Sequence, residues 1–121
     1  MMVDMQNDFV ASGAPMETPA ARQVVPRIAE ALRVCRNAGI KIIYTAHVHR
    51  RDGCDMGLFD DLHPPIANRD ALVDGTPGVE IYADLAPLAG EHVIKKHRFK
   101  CCRQRRDALI RRLGARLARS F

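Results

Sequence analysis

Val3-Asp4-Met5-Gln6-Asn7-Asp8-Phe9 stands almost at the N-terminus, and its reading decides the fold. Met2-Val3 has the character of the end of a short apolar strand, and Asp4 follows it directly. Open α/β sheets place their ligand crevice outside the carboxyl ends of the strands, so a carboxylate at such an end is positioned for chemistry. A solvated loop acid is the competing reading, and this stretch alone does not separate the two.

Outward from that stretch, Ala11-Ser12-Gly13-Ala14-Pro15 is loop, punctuated by Gly and Pro. Thr18-Pro19 then suits a helix start, with Thr18 as N-cap and Pro19 at the first helical position. Val24 or Val25, Ile28, Leu32 and Cys35 recur at helical spacing, and charges fall largely between them. Pro26 inside the pattern predicts a kink or a later start. Asn37-Ala38-Gly39 supplies the stop. Cys35, set among aliphatics on this face, reads as a packed thiol.

Ile40 to Thr45 is the clearest strand, β-branched, apolar and short. Strand, helix and strand make a right-handed βαβ unit with parallel strands, so Asp4 and the segment Thr45-Ala46-His47-Val48-His49-Arg50 leave the sheet at one edge. Residues 51–76 are polar and broken by Gly and Pro, which predicts a functional loop with short helical pieces. Pro77 to Leu85 reads as a turn followed by a short helix, and Glu91 to Lys95 as the third strand. From about Gln104 to Arg119 the chain is amphipathic. Leu109, Ile110, Leu113 and Leu117 share one face, beside a stripe of Arg105, Arg112, Arg116 and Arg119.

A chain of 121 residues suits one domain, and 47% hydrophobic residues suffice for a core. No tryptophan is present, so that core must rest on Val, Ile, Leu and Ala, as covered parallel strands usually do. No apolar run approaches a membrane span, and no signal-peptide pattern opens the chain, so a cytoplasmic location is expected. Cys35, Cys54, Cys101 and Cys102 lack paired spacing and read as reduced thiols. The net charge of +5 is uneven: residues 95–121 hold 11 basic residues and one acid, whereas residues 1–94 hold 8 basic and 13 acidic. An acidic body thus carries a basic tail, the pattern of an anionic partner or of a foreign tail.

Two stretches carry a family resemblance. Asp4-Met5-Gln6-Asn7-Asp8-Phe9 resembles the opening motif of the isochorismatase-like cysteine hydrolases, which include nicotinamidases, N-carbamoylsarcosine amidases and biuret or ureidoacrylate amidohydrolases. Val93-Ile94-Lys95-Lys96-His97-Arg98-Phe99 is similar to the second motif of that family, a Lys before His/Arg-Arg-aromatic. The resemblance implies a three-layer α/β/α fold, mostly parallel and Rossmann-like in topology. It also implies a Cys/Asp/Lys triad in which Asp4 is the proton carrier and Lys96, rather than Lys95, the lysine. Thiol attack on an amide needs a thiolate, a group that takes and returns a proton, and nearby positive charge; a carboxylate and an ammonium supply the last two.

His47 and His49, with Asp52, Cys54, Asp55 and His63 nearby, invite a metal reading. The resemblance argues against it. The metal-binding nicotinamidase branch carries Asp-x-His, whereas Thr45-Ala46-His47 has no acid there, and Tyr44 to Gly53 is similar to the metal-free amidohydrolase branch. No metal and no cofactor are therefore expected. Phe9, which closes the first motif, His47 and Arg50 are the candidate substrate contacts.

Two departures stand beside the resemblance. Only Met1-Met2-Val3 precede Asp4, where the family has a full strand. After Phe99 the chain reads Lys100-Cys101-Cys102-Arg103 in place of the family's wording, and the segment that carries the nucleophilic cysteine has no counterpart. A truncated gene or a frame shifted near Lys100 accounts for both the wording and the basic excess. Lys100 and Arg103 favour a thiolate at Cys101 or Cys102, but the family has no catalytic thiol at that place.

Residues 1–99 are thus expected to form a partial, incomplete isochorismatase-like domain. Residues 100–121 form a basic amphipathic helix or a divergent remainder of the same domain. The expected function is hydrolysis of a non-peptide C–N bond in a small amide or ureido substrate. The alternatives are an inactive remnant that assembles through exposed sheet edges as a homo-oligomer, and an anionic-partner binder using the Arg-rich tail. The tail has no aromatic stacking platform, which argues against nucleic acid.

Overall fold

In the computed structural model, which describes residues 1–98, three strands form one parallel sheet in the order β1 (Met2–Val3), β2 (Ile43–His47), β3 (His92–Lys96). Cys101, Cys102, the Arg stripe and the expected helix of residues 104–119 lie outside the described residues. The helices are α1 (Asn7–Val10), α2 (Pro19–Asn37), α3 (Phe59–Leu62) and α4 (Pro64–Ala67), with 3₁₀ turns at Pro77–Val79 and Ala83–Leu85.

α2 starts where the sequence predicts, with Pro19 in its first turn, and runs through Pro26. Thr18 occupies the N-cap position without a capping side-chain bond; its hydroxyl donates back to the Met16 carbonyl at 3.4 Å. Pro26 has no N–H to give its helix, yet Val25 and Leu32 on either side are buried against Met2, Met5, Ile42 and Tyr44. Burial of one such aliphatic side chain is worth about 2 kcal/mol, which offsets much of the proline's cost. Cys35 packs against this core, as its spacing predicts, and is a free thiol. Gly39 ends the helix at φ 70°, a left-handed turn that a glycine takes without penalty.

Three expectations need correction. β2 begins at Ile43 rather than Ile40 and includes His47. Its ladder is set by its neighbours: Met2 lies opposite Tyr44, and His92 opposite Ile43. β3 likewise runs one residue past Lys95 and includes Lys96, which lies opposite His47. The expected helix before Pro87 is two 3₁₀ turns joined by extended backbone. Tertiary bonds claim that backbone: Asn7 N–H donates to the Glu80 carbonyl (2.9 Å), Tyr82 N–H donates to the Met5 carbonyl (2.8 Å), and Gln6 bridges to Ile81.

At the N-terminal ends of β2 and β3, Arg36 from the last turn of α2 grips Glu91 through Nε (2.8 Å) and a terminal nitrogen (2.9 Å). The Tyr44 hydroxyl and the Leu88 N–H also donate to Glu91, at 2.9 and 2.8 Å. The loop of residues 51–76 builds a second core from Met56, Phe59, Ile66, Ala71 and Leu72, against which Phe9 and Met16 pack.

Candidate active site

Asp4 is the first residue after β1 and has φ 54°, left-handed and costing about 1 kcal/mol for a residue with a side chain. That turn swings its carboxylate across the strand ends. Its N–H donates to the Thr45 carbonyl (3.0 Å), and its Oδ1 accepts from the Thr45 hydroxyl (2.8 Å). Oδ2 accepts from Lys96 Nζ at 2.5 Å. Lys96 is fully buried, and its ammonium also donates to the Arg98 carbonyl at 3.2 Å. Desolvating an ammonium costs on the order of several kcal/mol unless paired and hydrogen-bonded, and here it is both. Asp4 keeps 21% of its side chain exposed, so the pair is anchored from below and open from above. A carboxylate so held can accept a proton and release it, while the ammonium steadies negative charge beside it.

Gln6 holds this corner together. Its amide nitrogen donates to the carbonyls of His47 (2.9 Å) and Val79 (3.0 Å), and its amide oxygen accepts the His47 N–H (2.7 Å). Asp8 does the same two residues on. It is buried and accepts the Leu72 N–H at 2.6 Å, while burial pushes its carboxyl above the usual carboxylate range. Gly78 packs against it so closely that a Cβ there would lie 2.1 Å from Asp8 Oδ1. Leu72 is itself left-handed, φ 58°, and its carbonyl accepts the His49 N–H at 2.7 Å. The motif residues Gln6 and Asp8 thus strap the loops to the strand ends. Their chemistry is legible in the motif, but their partners, 41 and 64 residues or more away, are not.

His47 and His49 are buried side by side, with ring centroids 4.9 Å apart, and each lies about 5.5 Å from the Phe59 ring. Burial, and then the charges of Lys96 and the neighbouring histidines, bring His47 down to about 3. Burial also lowers His49, so both rings are neutral at neutral pH. Asp55 lies beside them. Its Oδ1 accepts the Arg50 N–H at 2.9 Å and stands 3.7 Å from His49 Nδ1, and its Oδ2 is 2.7 Å from His97 Nδ1.

The candidate contacts differ in place. His47 lies beside the pair, opposite Lys96 in the ladder. Phe9 is half-buried between the two cores, and Arg50 is exposed, with its guanidinium 3.6 Å from the Cys54 sulfur. Among the described residues no group of three or more His, Cys, Asp or Glu is arranged to hold a metal ion, and no helix is long and apolar enough to cross a membrane.

The isochorismatase domain matches residues 1–116. The chain belongs to the isochorismatase family. It is 39% identical to an isochorismatase family protein from Desulfovibrio vulgaris, at a TM-score of 0.82 over 93% of this chain and 60% of that one. A cysteine hydrolase from Pseudomonas syringae is 28% identical, at a TM-score of 0.83 over 92% of this chain and 52% of that one. A probable inactive nicotinamidase from Arabidopsis thaliana is 30% identical over 81 residues, which are 67% of this chain and 41% of that protein. The chain therefore has the isochorismatase-like α/β fold and spans between two fifths and three fifths of the length of these relatives.

Proposed function

We propose that this chain supplies the Asp and Lys of a cysteine hydrolase site acting on a non-peptide C–N bond of a small amide or ureido compound, in the metal-free amidohydrolase branch. The observation that carries the reading is the 2.5 Å contact between Asp4, on its left-handed corner, and the fully buried Lys96. Asp4 takes the thiol proton and returns it to the leaving nitrogen. Lys96 pairs with the carboxylate and offsets the negative charge that develops on the substrate. Both described thiols have other surroundings: Cys35 packs in the α2 core, and Cys54 faces Arg50. Ammonia release from a panel of carbamoyl and primary amide compounds tests the reading, with thiol labelling followed by mass spectrometry. Asp4→Asn and Lys96→Ala each should lower turnover at least about a hundredfold. Turnover indifferent to both substitutions would end it.

A second reading has two observations of its own. One relative is a probable inactive nicotinamidase. Among the described residues β1 is also an edge strand, with Met1 and Val3 exposed beside a cavity of about 330 Å³ lined by Met2, Met5, Ile28, Leu32, Cys35 and Ile40. A catalytically silent assembly module, homo-oligomeric through that edge, accounts for both. It requires no turnover, thiol labelling that is indifferent to Asp4→Asn and Lys96→Ala, and a self-associated protein.

A further inference from the structure

The two faces of the sheet are covered differently. Ladder partners share a face, so Met2, Tyr44 and Val93 lie on one side and Val3, Thr45 and Ile94 on the other. α2 takes the first side, where Met2 and Tyr44 pack with Val25 and Leu32. On the second side Ile94 is only 7% exposed, yet it joins none of the three apolar clusters formed by the described residues. Among those residues β3 is an edge strand, where an isoleucine on a bare face stands largely in water. Parallel sheets are found with both faces covered. The cover of Ile94 therefore comes from outside residues 1–98.

Exposure along the row says where that cover lies. Thr45 on the central strand is fully buried, whereas Val3 on β1 keeps 48% of its surface exposed. The cover thus sits over β2 and β3 and stops short of β1. The chain itself leaves β3 at the C-terminal edge and continues through residues 99–121. A helix over residues 104–119 is about 24 Å long at 1.5 Å per residue. β3 spans about 17 Å, so a single pass back over the sheet covers the whole strand. Leu109, Ile110, Leu113 and Leu117 give that segment one apolar face, and α2 already occupies the only other side of the sheet.

We propose that residues 104–119 dock as a helix on the second face of the sheet, with Leu109, Leu113 and Leu117 over Ile94 and the Thr45 methyl group and the Arg stripe turned to solvent. The basic tail is then a covering layer of this domain, neither a foreign appendage nor an arm for an anionic partner. Val3 and the apolar groove at β1 stay open beside it. The docking holds whether or not the Asp4–Lys96 site turns over a substrate.

The test uses the full-length chain with labelled Ile, Leu and Val methyl groups. Nuclear Overhauser contacts should join the Ile94 methyls to those of Leu109, Leu113 or Leu117, and mixing labelled with unlabelled chains separates contacts within a chain from contacts between copies. Ile94 contacts confined to residues 1–98, or found only between copies, overturn the docking. Leu113→Ala removes one docked side chain and should speed amide exchange across residues 106–119 at least about tenfold. Exchange there no faster than in the wild type overturns it as well. Replacing Arg105, Arg112, Arg116 and Arg119 together by Gln should leave the Ile94 contacts in place. Their loss would mean that charge, rather than the leucine face, holds the tail, and would overturn the assignment of its faces.

Discussion

The same two strands carry a charge cluster at either end, and the two clusters are built on opposite lines. At the N-terminal ends, Glu91 accepts from Arg36 twice, from Tyr44 and from Leu88, and Arg36 also reaches the Ala86 carbonyl. Every member serves to fasten α2 to the sheet, and ordinary backbone suffices. At the C-terminal ends, Asp4 sits on a left-handed corner, Lys96 is wholly buried, and the carboxylate remains partly open. One cluster is saturated and closed. The other spends stability on a strained backbone and a desolvated ammonium, and leaves its carboxylate partly exposed. Fastening is thus concentrated at one end of the strands, and the residues of the proposed site stand at the other.

Removing a carboxylate from each cluster should separate them most. Asp4→Ala leaves a buried ammonium without its counter-charge and should cost about 3 kcal/mol, read as a lowered urea midpoint. Lys96→Met removes the charge but keeps the volume, so it should cost much less than Asp4→Ala, although in the hydrolase reading it abolishes turnover. Equal losses from the two would mean that the Asp4–Lys96 pair is a fastening like the one at the opposite end. Glu91→Gln keeps the shape of its cluster and most of its bonds and should fall below Asp4→Ala.

Acid should reach the two ends at different pH. His47 is lowered to about 3 by burial, so its stabilising contribution is complete above pH 6.5, where the unfolded ring is neutral too, and drains as the pH falls toward 3. Glu91 is lowered to about 2, chiefly by Arg36, so its contribution is complete above pH 4.5 and is lost from there down to about 2. Urea midpoints measured from pH 7 downward should begin to fall near 6.5. His47→Asn should remove the early part of that fall, and Glu91→Gln the part below 4.5. A wild-type midpoint flat from pH 7 to 5 would contradict the burial of the histidines.

How legible each end was follows from how local its causes are. The open end announces itself in contiguous wording: Asp4 and Lys96 stand in two short motifs, each at the end of an apolar run, and the parallel βαβ reading brings those ends to one edge. Fine boundaries escaped because the ladder, not local propensity, decides where β2 and β3 begin. The extended backbone around Glu80 escaped for the same reason, since its partners are Asn7, Met5 and Gln6. The closed end is invisible in sequence. Arg36 looks like any helix-surface arginine and Glu91 like an acid at the start of a strand, and only the fold places them 2.8 Å apart. Gln6 and Asp8 fall between: residue types that stand out in the motif, with partners supplied by distant loops.

The smallest effect belongs to Tyr44, which links the closed cluster to the α2 core. Its hydroxyl donates to Glu91 and accepts from Arg36, while its ring lies among Met2, Val25 and Leu32. Tyr44→Phe keeps the ring and should cost only about 1 kcal/mol at neutral pH, the net worth of a typical hydrogen bond. Its alkaline signature is more telling. Burial, with Glu91 adding to it, pushes the Tyr44 hydroxyl up to about 12. The folded state therefore resists ionisation that the unfolded chain undergoes near 10. The contribution of this hydroxyl is complete below pH 10 and is lost as the pH rises toward 12. Denaturation followed between pH 9 and 12 should show that loss in the wild type, and Tyr44→Phe should lack this tyrosine's share of it. If the two proteins weaken in parallel over that range, the hydroxyl is not held inside the closed cluster, and the contrast between the two ends would rest on Asp4 and Lys96 alone.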